Sequence, residues 1–237
     1  MTILHYIFDP LCGWCYGAAP LISAARGVPN LTIALHSGGM MTGANRQAVT
    51  PQLRAYVMAH DKRIAQLSGQ PFGAAYFDGL LRDAGAVFDS APPTTAILAA
   101  EEVAEGSTGK GLDMLHALQH AHYVLGRRIG ETTVLLELAQ ELGLDPVAFA
   151  QAYARLAGPA TERHFNESRA WLSRAGGQGF PTLALERADG TVEPLDVGNW
   201  QGRTTEWTRY LHEKTSGETN SEESVGGAYC NIDGCAI

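Results

Sequence analysis

Residues 3–8 (Ile-Leu-His-Tyr-Ile-Phe) form an almost unbroken apolar run, the pattern of a strand buried on both faces. Residues 12–26 follow as an Ala- and Leu-rich helical stretch that contains Pro20, where a kink is expected. Residues 31–36 read as a second strand. A strand, a helix and a strand in succession predict a βαβ unit with parallel strands. The pattern then becomes helical: residues 51–67, 72–83, 92–105, 112–125, 133–142 and 146–156 are separated by Gly, Pro and Ser breaks. Val134, Leu135, Leu138, Ala139 and Leu142 share one face of a helical repeat, and Pro92 and Pro93 suit a first helical turn. A further helix over 161–174 runs into Gly176-Gly177-Gln178-Gly179.

Strand character returns at 181–186 and 192–195, joined at Asp189-Gly190, a strong hairpin signal. Residues 200–214 read as a closing helix, and 215–227, rich in Ser, Gly and Glu, as a flexible tail. A two-stranded hairpin is marginal alone and needs a sheet to join. The opening βαβ unit offers one. The expected fold is therefore α/β: a thioredoxin-like domain in two pieces, residues 1–45 and 161–214, interrupted by an all-α helical insertion over 46–160 and followed by the tail 215–237.

Composition narrows the chemistry. Four cysteines in 237 residues are too few for a disulfide scaffold. A net charge of −8 argues against nucleic acid and against an anionic membrane as partners. No stretch approaches the roughly 18 continuous apolar residues of a membrane span. The N-terminus shows no basic, cleavable leader. The expectation is a soluble cytoplasmic protein whose cysteines cycle rather than staple.

Cys12-Gly13-Trp14-Cys15 sits at the turn from the first strand into the first helix. Unpaired backbone N–H groups and the helix dipole at such a turn favour thiolate over thiol, and thiolate is the reactive species. Cys12, nearest the helix N-terminus, is expected to be the nucleophile and the more exposed sulfur. Cys15, one turn on, is the resolving thiol. An inert pair or half a zinc site is the bland alternative. Zinc needs about four ligands and no second C-x-x-C exists, so no metal is expected.

Gly13 is expected to free the backbone at the turn, and Trp14 to offer an apolar wall for a substrate peptide. Asp9 either assists proton transfer from Cys15 or shapes the Asp-Pro turn, and the turn is the preferred reading. His116 and His120 are at i, i+4 but off the apolar stripe, which suits surface histidines; His122, on the stripe, suits a satisfied core histidine. His5 and His36 fall on strands and receive no role. Cys230 and Cys235 form a C-x4-C around Asp233-Gly234, a candidate second redox pair. The linker before them, with a reach of roughly 20 Å, can bring them to Cys12.

Phe8-Asp9-Pro10-Leu11-Cys12-Gly13-Trp14-Cys15-Tyr16-Gly17, Pro20 in the helix and the distant Gly179-Phe180-Pro181-Thr182 together resemble the DsbA superfamily. Within it the chain is most similar to the cytoplasmic FrnE-like branch. That branch is related to 2-hydroxychromene-2-carboxylate isomerases and kappa-class glutathione transferases. Gly126-Arg127-Arg128-Ile129, Thr133-Val134-Leu135 and Gly143-Leu144-Asp145 resemble its insertion helices. The resemblance implies a cis Pro181 facing the dithiol. It also implies a Phe180 backbone that receives a peptide by strand addition, with core packing as the plainer role for the Phe180 ring.

The expected activity is that of a thiol:disulfide oxidoreductase or isomerase acting on protein or peptide disulfides. No bound cofactor is expected, and glutathione or a thioredoxin system serves as redox partner. Two rivals stand beside it. One is a glutathione-dependent isomerase or transferase for small aromatic molecules, which calls for a hydroxyl residue where Cys12 stands. The other is a non-catalytic peptide-binding chaperone.

Overall fold

The computed structural model describes residues 1–104 and 109–216, and the backbone of 229–231 and 234–236. At its centre is strand β1 (Thr2–Phe8), buried from Leu4 onward. It pairs in parallel with β2 (Leu31–Ser37) and antiparallel with β5 (Thr182–Glu186). Strand β6 (Val192–Leu195) completes a four-stranded mixed sheet of order β2-β1-β5-β6. The hairpin read at Asp189-Gly190 thus joins the sheet begun by the βαβ unit. Ile7 is in register with Thr182, which brings the chain just before β5 beside the end of β1.

Successive β1 side chains point to opposite faces. Tyr6 donates its O–H to the Cys15 carbonyl at 3.1 Å, on the side of helix α1 (Gly13–Ala25). His5 stacks on Trp171 of α7 (Pro159–Arg174), ring centroids 3.7 Å apart. It also bonds to His36 at 2.8 Å and to Glu186 at 3.0 Å, so two histidines assigned no role tie β1 to its neighbours. Helix α8 (Thr204–Thr215) packs on α1, where Trp207 donates its Nε1–H to the Leu21 carbonyl at 2.9 Å.

Between β2 and β5 the chain is mainly helical: α2 (Pro51–Ser68), α3 (Ala91–Glu102), α4 (Lys110–Tyr123), α5 (Thr132–Glu141) and α6 (Pro146–Leu156) precede α7. The segment expected to be all-α also holds a short antiparallel ribbon, β3 (Gln47–Ala48) with β4 (Val87–Phe88), because the turn before α3 folds back beside the start of α2. Thr50 caps α2 by accepting from Leu53 N–H, and Asp145 caps α6 by accepting from Ala148 N–H, each followed by proline at the first helical position. α3 packs on α4 and α6, and α2 packs on α1 beside the dithiol.

Several expectations change here. Residues 72–83 do not form one α-helix but a single π-turn (Ala75–Gly79) followed by a 3-10 turn (Leu80–Arg82). Gly73, whose Cβ would lie 2.0 Å from the Val124 carbonyl oxygen, docks that segment on the end of α4, and the docking overrides the helical period. The closing helix starts at Thr204, because Gly202 at φ +74 separates it from a 3-10 turn at Val197–Trp200. His116 is half-buried rather than solvated, and burial pulls its pKa down to about 4; His120 is exposed. His122 is a core histidine, yet its Nδ1 has no hydrogen-bond partner among the described residues. The tail expected over 215–227 lies outside the described residues from 217 onward.

Candidate active site

β1 ends at Phe8, and Asp9 turns the chain toward α1. Leu11 N–H donates to Asp9 Oδ1 at 2.9 Å and Cys12 N–H donates to the Asp9 carbonyl at 3.1 Å. The same carboxylate accepts from Ser90 O–H at 3.0 Å and, through Oδ2, from Met40 N–H at 2.6 Å. Asp9 is fully buried, and burial raises its pKa against the opposing pull of these bonds. It shapes the turn, and it also ties that turn to the loop after β2 and to the start of α3.

Cys12 is the N-cap residue of α1, with extended backbone and no side-chain cap, so the first N–H groups of the helix are not used by a capping side chain. Both cysteines are free thiols. Cys15 lies one turn along α1. Burial, followed by its hydrogen bond to Cys12, holds its pKa well above the ordinary thiol value.

The Cys12 S–H donates to the Phe180 carbonyl at 3.4 Å, across 168 residues of chain. The Phe180-Pro181 peptide is cis, as the family likeness implied. Thr182 O–H donates to the Gly179 carbonyl at 2.8 Å and closes this turn before β5. On its far side, the Phe180 ring occupies the space left by Gly38, where a Cβ would lie 2.2 Å from a ring carbon. Arg169 of α7 holds that glycine loop in place by donating to the Gly38 and Gly39 carbonyls, each at 2.9 Å.

The profile of the DSBA-like thioredoxin domain matches residues 3–199. The chain belongs to that family. Among solved structures, the cytosolic disulfide reductase DsbM from Pseudomonas aeruginosa is 54% identical, with a TM-score of 0.83 over 90% of this chain and 98% of DsbM. A second DsbM structure, with GSH, aligns at 52% identity and a TM-score of 0.82, over 90% and 99% of the two chains. A 2-hydroxychromene-2-carboxylate isomerase shares the DSBA-like fold at 15% identity and a TM-score of 0.56, over 92% of this chain and all of its own (100%). No curated protein sequence matches the chain.

Against this DSBA-like frame, several sequence expectations need correction. Cys12 is not the more exposed sulfur: both cysteines are 0% exposed, because the Phe180 turn lies over one and the α1 packing encloses the other. Trp14 is 1% exposed, so its indole belongs to the core and presents no open wall; its Nε1 finds no partner among the described residues. Gly13 does not have a positive φ, and its smallness matters for another reason: a Cβ there would lie 2.6 Å from Asp61 Oδ1. Cys230 and Cys235 are register partners across a two-stranded antiparallel ribbon, β7 (Tyr229–Asn231) and β8 (Gly234–Ala236). Their side chains lie outside the described residues. No group of three or more His, Cys, Asp or Glu residues suited to a metal ion occurs among the described residues, and no described helix is long and apolar enough to cross a membrane.

Sequence reasoning missed Asp61, Tyr76 and Tyr123, which gather beside Gly13. A signal existed: Asp61 continues the α2 stripe Leu53, Val57, Ile64 at helical spacing, where an acid is out of place. Tyr76 donates its O–H to Asp61 Oδ2 at 2.9 Å. Burial pushes the Asp61 carboxyl up to about 7, with the Tyr76 bond opposing.

Proposed function

We propose that this protein is a cytoplasmic disulfide oxidoreductase that works chiefly as a reductase of protein or peptide disulfides, with glutathione returning its electrons. The observation that carries the reading is the Cys12 sulfur held at the start of α1 against the Phe180 carbonyl, with the Cys15 thiol one turn behind. The 54% identity to a cytosolic disulfide reductase and the GSH-containing structure of that relative support the direction and the partner.

In this mechanism the Cys12 thiolate attacks one sulfur of the substrate disulfide. A mixed disulfide forms and the other substrate sulfur leaves as thiolate. Cys15, kept protonated by burial until then, loses its proton and attacks Cys12. The second substrate thiolate leaves, and the Cys12/Cys15 disulfide remains. Two electrons have passed to the substrate. Two glutathione thiols return them and become one glutathione disulfide.

Phe180 and Pro181 serve as the edge on which the substrate backbone lies; the Phe180 carbonyl exchanges its bond from Cys12 for one from the peptide. Trp14, buried between the two cysteines in the first turn of α1, belongs to the core. Residues 1–45 and 161–214 form the thioredoxin-like part in this reading, and 46–160 the insertion that narrows access to it. Cys230 and Cys235, opposite one another in register, act as an accessory dithiol that passes two electrons to the Cys12/Cys15 disulfide and becomes a disulfide, which two glutathione thiols reduce in turn as they form one glutathione disulfide.

The test is equilibration in graded glutathione buffers, quenching by alkylation and counting of modified cysteines by mass. A reversible two-electron transition at Cys12 and Cys15 is expected, with a second one at Cys230 and Cys235. A pair that never cycles, or a Cys12 that stalls as a glutathione adduct with Cys15 intact, sinks the reading in favour of a glutathione-dependent small-molecule enzyme.

A further inference from the structure

Asp61 is a buried carboxylate beside the dithiol that the reaction above leaves unused. It is 3% exposed, and no cation pairs with it among the described residues. A buried acid without a cation is costly to keep and is a recurring mark of a functional site. One oxygen accepts from Tyr76; the other faces Gly13 so closely that only a residue without a Cβ fits. Gly13 is the first residue of α1 and is bonded to Cys12. A carboxylate from the insertion therefore abuts the helix N-terminus that carries the attacking sulfur.

Tyr123 closes the other side. Its ring lies 5.3 Å from that of Tyr76, and its O–H is buried with no partner among the described residues. Burial first, then the charges of Tyr76, Asp61, Cys12 and Cys15, hold the Tyr123 phenol well above its usual pKa. One phenol thus senses both the acid and the two sulfurs. Tyr76 from the π-turn bonds to Asp61, Tyr123 from α4 lies within reach of its charge, and the start of α1 meets it at Gly13. Asp9, from the turn before α1, is the other buried carboxylate that acts on the dithiol, through Cys15.

The geometry points to Asp61 as a positioning residue of the dithiol: its charge, set against Gly13 in the first turn of α1, opposes the negative charge that the reduced pair carries when it reacts and biases the pair toward giving electrons rather than taking them. Two anions at one poorly solvated helix end repel, so a carboxylate there raises the cost of the thiolate. Oxidation sends two electrons to the substrate disulfide and leaves a Cys12/Cys15 disulfide that bears no charge. Asp61 therefore disfavours the thiolate-bearing reduced state and spares the oxidised one. A less stable reduced state is a stronger reductant. The inference deepens the proposed function and rests on Cys12 as the attacking sulfur.

The first arm compares the pH profile of Cys12 alkylation in wild type and Asp61→Asn, with modified sites mapped by mass. The pH of half-maximal rate is expected to fall by about one unit in the variant. The equilibrium with glutathione is expected to move several-fold toward the dithiol. A folded variant whose profile overlays wild type overturns the proposal.

The second arm needs no variant: the Asp61 carboxyl carbon is titrated by NMR in the reduced protein and in its disulfide form. The two curves are expected to differ, in midpoint or by a second step at the pH where Cys12 ionises. Superimposable curves overturn the proposal whether or not Asp61→Asn folds. Alkylation that falls on Cys15 in place of Cys12 refutes the functional reading itself, and the Asp61 resonance reports separately.

Discussion

The ring of Phe180 fills the volume that a side chain on Gly38 would need, with a ring carbon 2.2 Å from the missing Cβ. The residue whose carbonyl faces Cys12 is therefore seated on the loop that follows β2, and the site depends on that glycine. Gly38→Ala is expected to cost about 1–3 kcal/mol by overpacking and to lower disulfide-reductase kcat/KM by tenfold or more through misplacement of Phe180, on the order seen for small misplacements at reacting groups. Urea melts and steady-state kinetics check this; a variant with wild-type kinetics would show that the seat is immaterial.

Cys15→Ser is expected to trap Cys12 in a mixed disulfide with a substrate peptide, since no second thiol remains in the motif to release it. Cys12→Ser is expected to bring turnover to background and to form no adduct. Intact-mass spectra of each variant, incubated with a disulfide peptide, distinguish the two roles.

Asp61 gives a pH-dependent stability of definite sign. Its folded pKa, about 7, lies above the carboxylate value of the unfolded chain, so the folded state binds the extra proton. Its contribution is present below pH ~4 and is lost as the pH rises toward 7 and beyond. Asp61→Asn is expected to be more stable than wild type at pH 8, by on the order of 2–4 kcal/mol, with the difference shrinking toward pH 4. Denaturant melts across that range measure it.

His122 acts with the opposite sign. Burial lowers its pKa to about 3, so the unfolded chain takes up the proton first and stability falls as pH drops below 6.5. The loss between pH 7.5 and 5 is expected to reach about 2 kcal/mol. His36 and His116, each lowered by burial to about 4, add to the same slope, so His122→Leu should lessen it by about that amount without abolishing it; an unchanged acid slope would show that His122 plays no part.

The Cys230→Ser/Cys235→Ser double variant separates the accessory pair from the main one. Steady-state turnover with glutathione is expected to slow several-fold, while the single-turnover reaction of the reduced protein with substrate stays as in wild type. Equal steady-state rates would leave the ribbon without a redox part.

Much of the site is local and could be read along the chain. The strand–Cys-Gly-Trp-Cys–helix order depends on hydrophobic period and turn position, while Gly179-Phe180-Pro181-Thr182 was tied to it by the family resemblance. The hairpin at Asp189-Gly190 needed a sheet, and the sheet β2-β1-β5-β6 takes it. Residues 72–83 went astray because docking of Gly73 on the end of α4 outweighs helical period in that segment. The burial of Cys12 was invisible for a related reason: it depends on a segment far along the chain, as the 168-residue separation of Cys12 from Phe180 shows.

By itself, the sequence determined which sulfurs stand at a helix N-terminus and most of the strands and helices, which follow from spacing and local backbone preference; the distant turn at 179–182 was joined to them by the family resemblance. Only the tertiary structure decided that both thiols are enclosed, that Gly13 is small to admit Asp61, and that Gly38 is small to admit Phe180. The physical reason is that close packing and charge act through space. Asp61 and Gly13 are 48 positions apart in the chain, yet the meeting of α2 with α1 brings a carboxylate oxygen against the first turn of the catalytic helix.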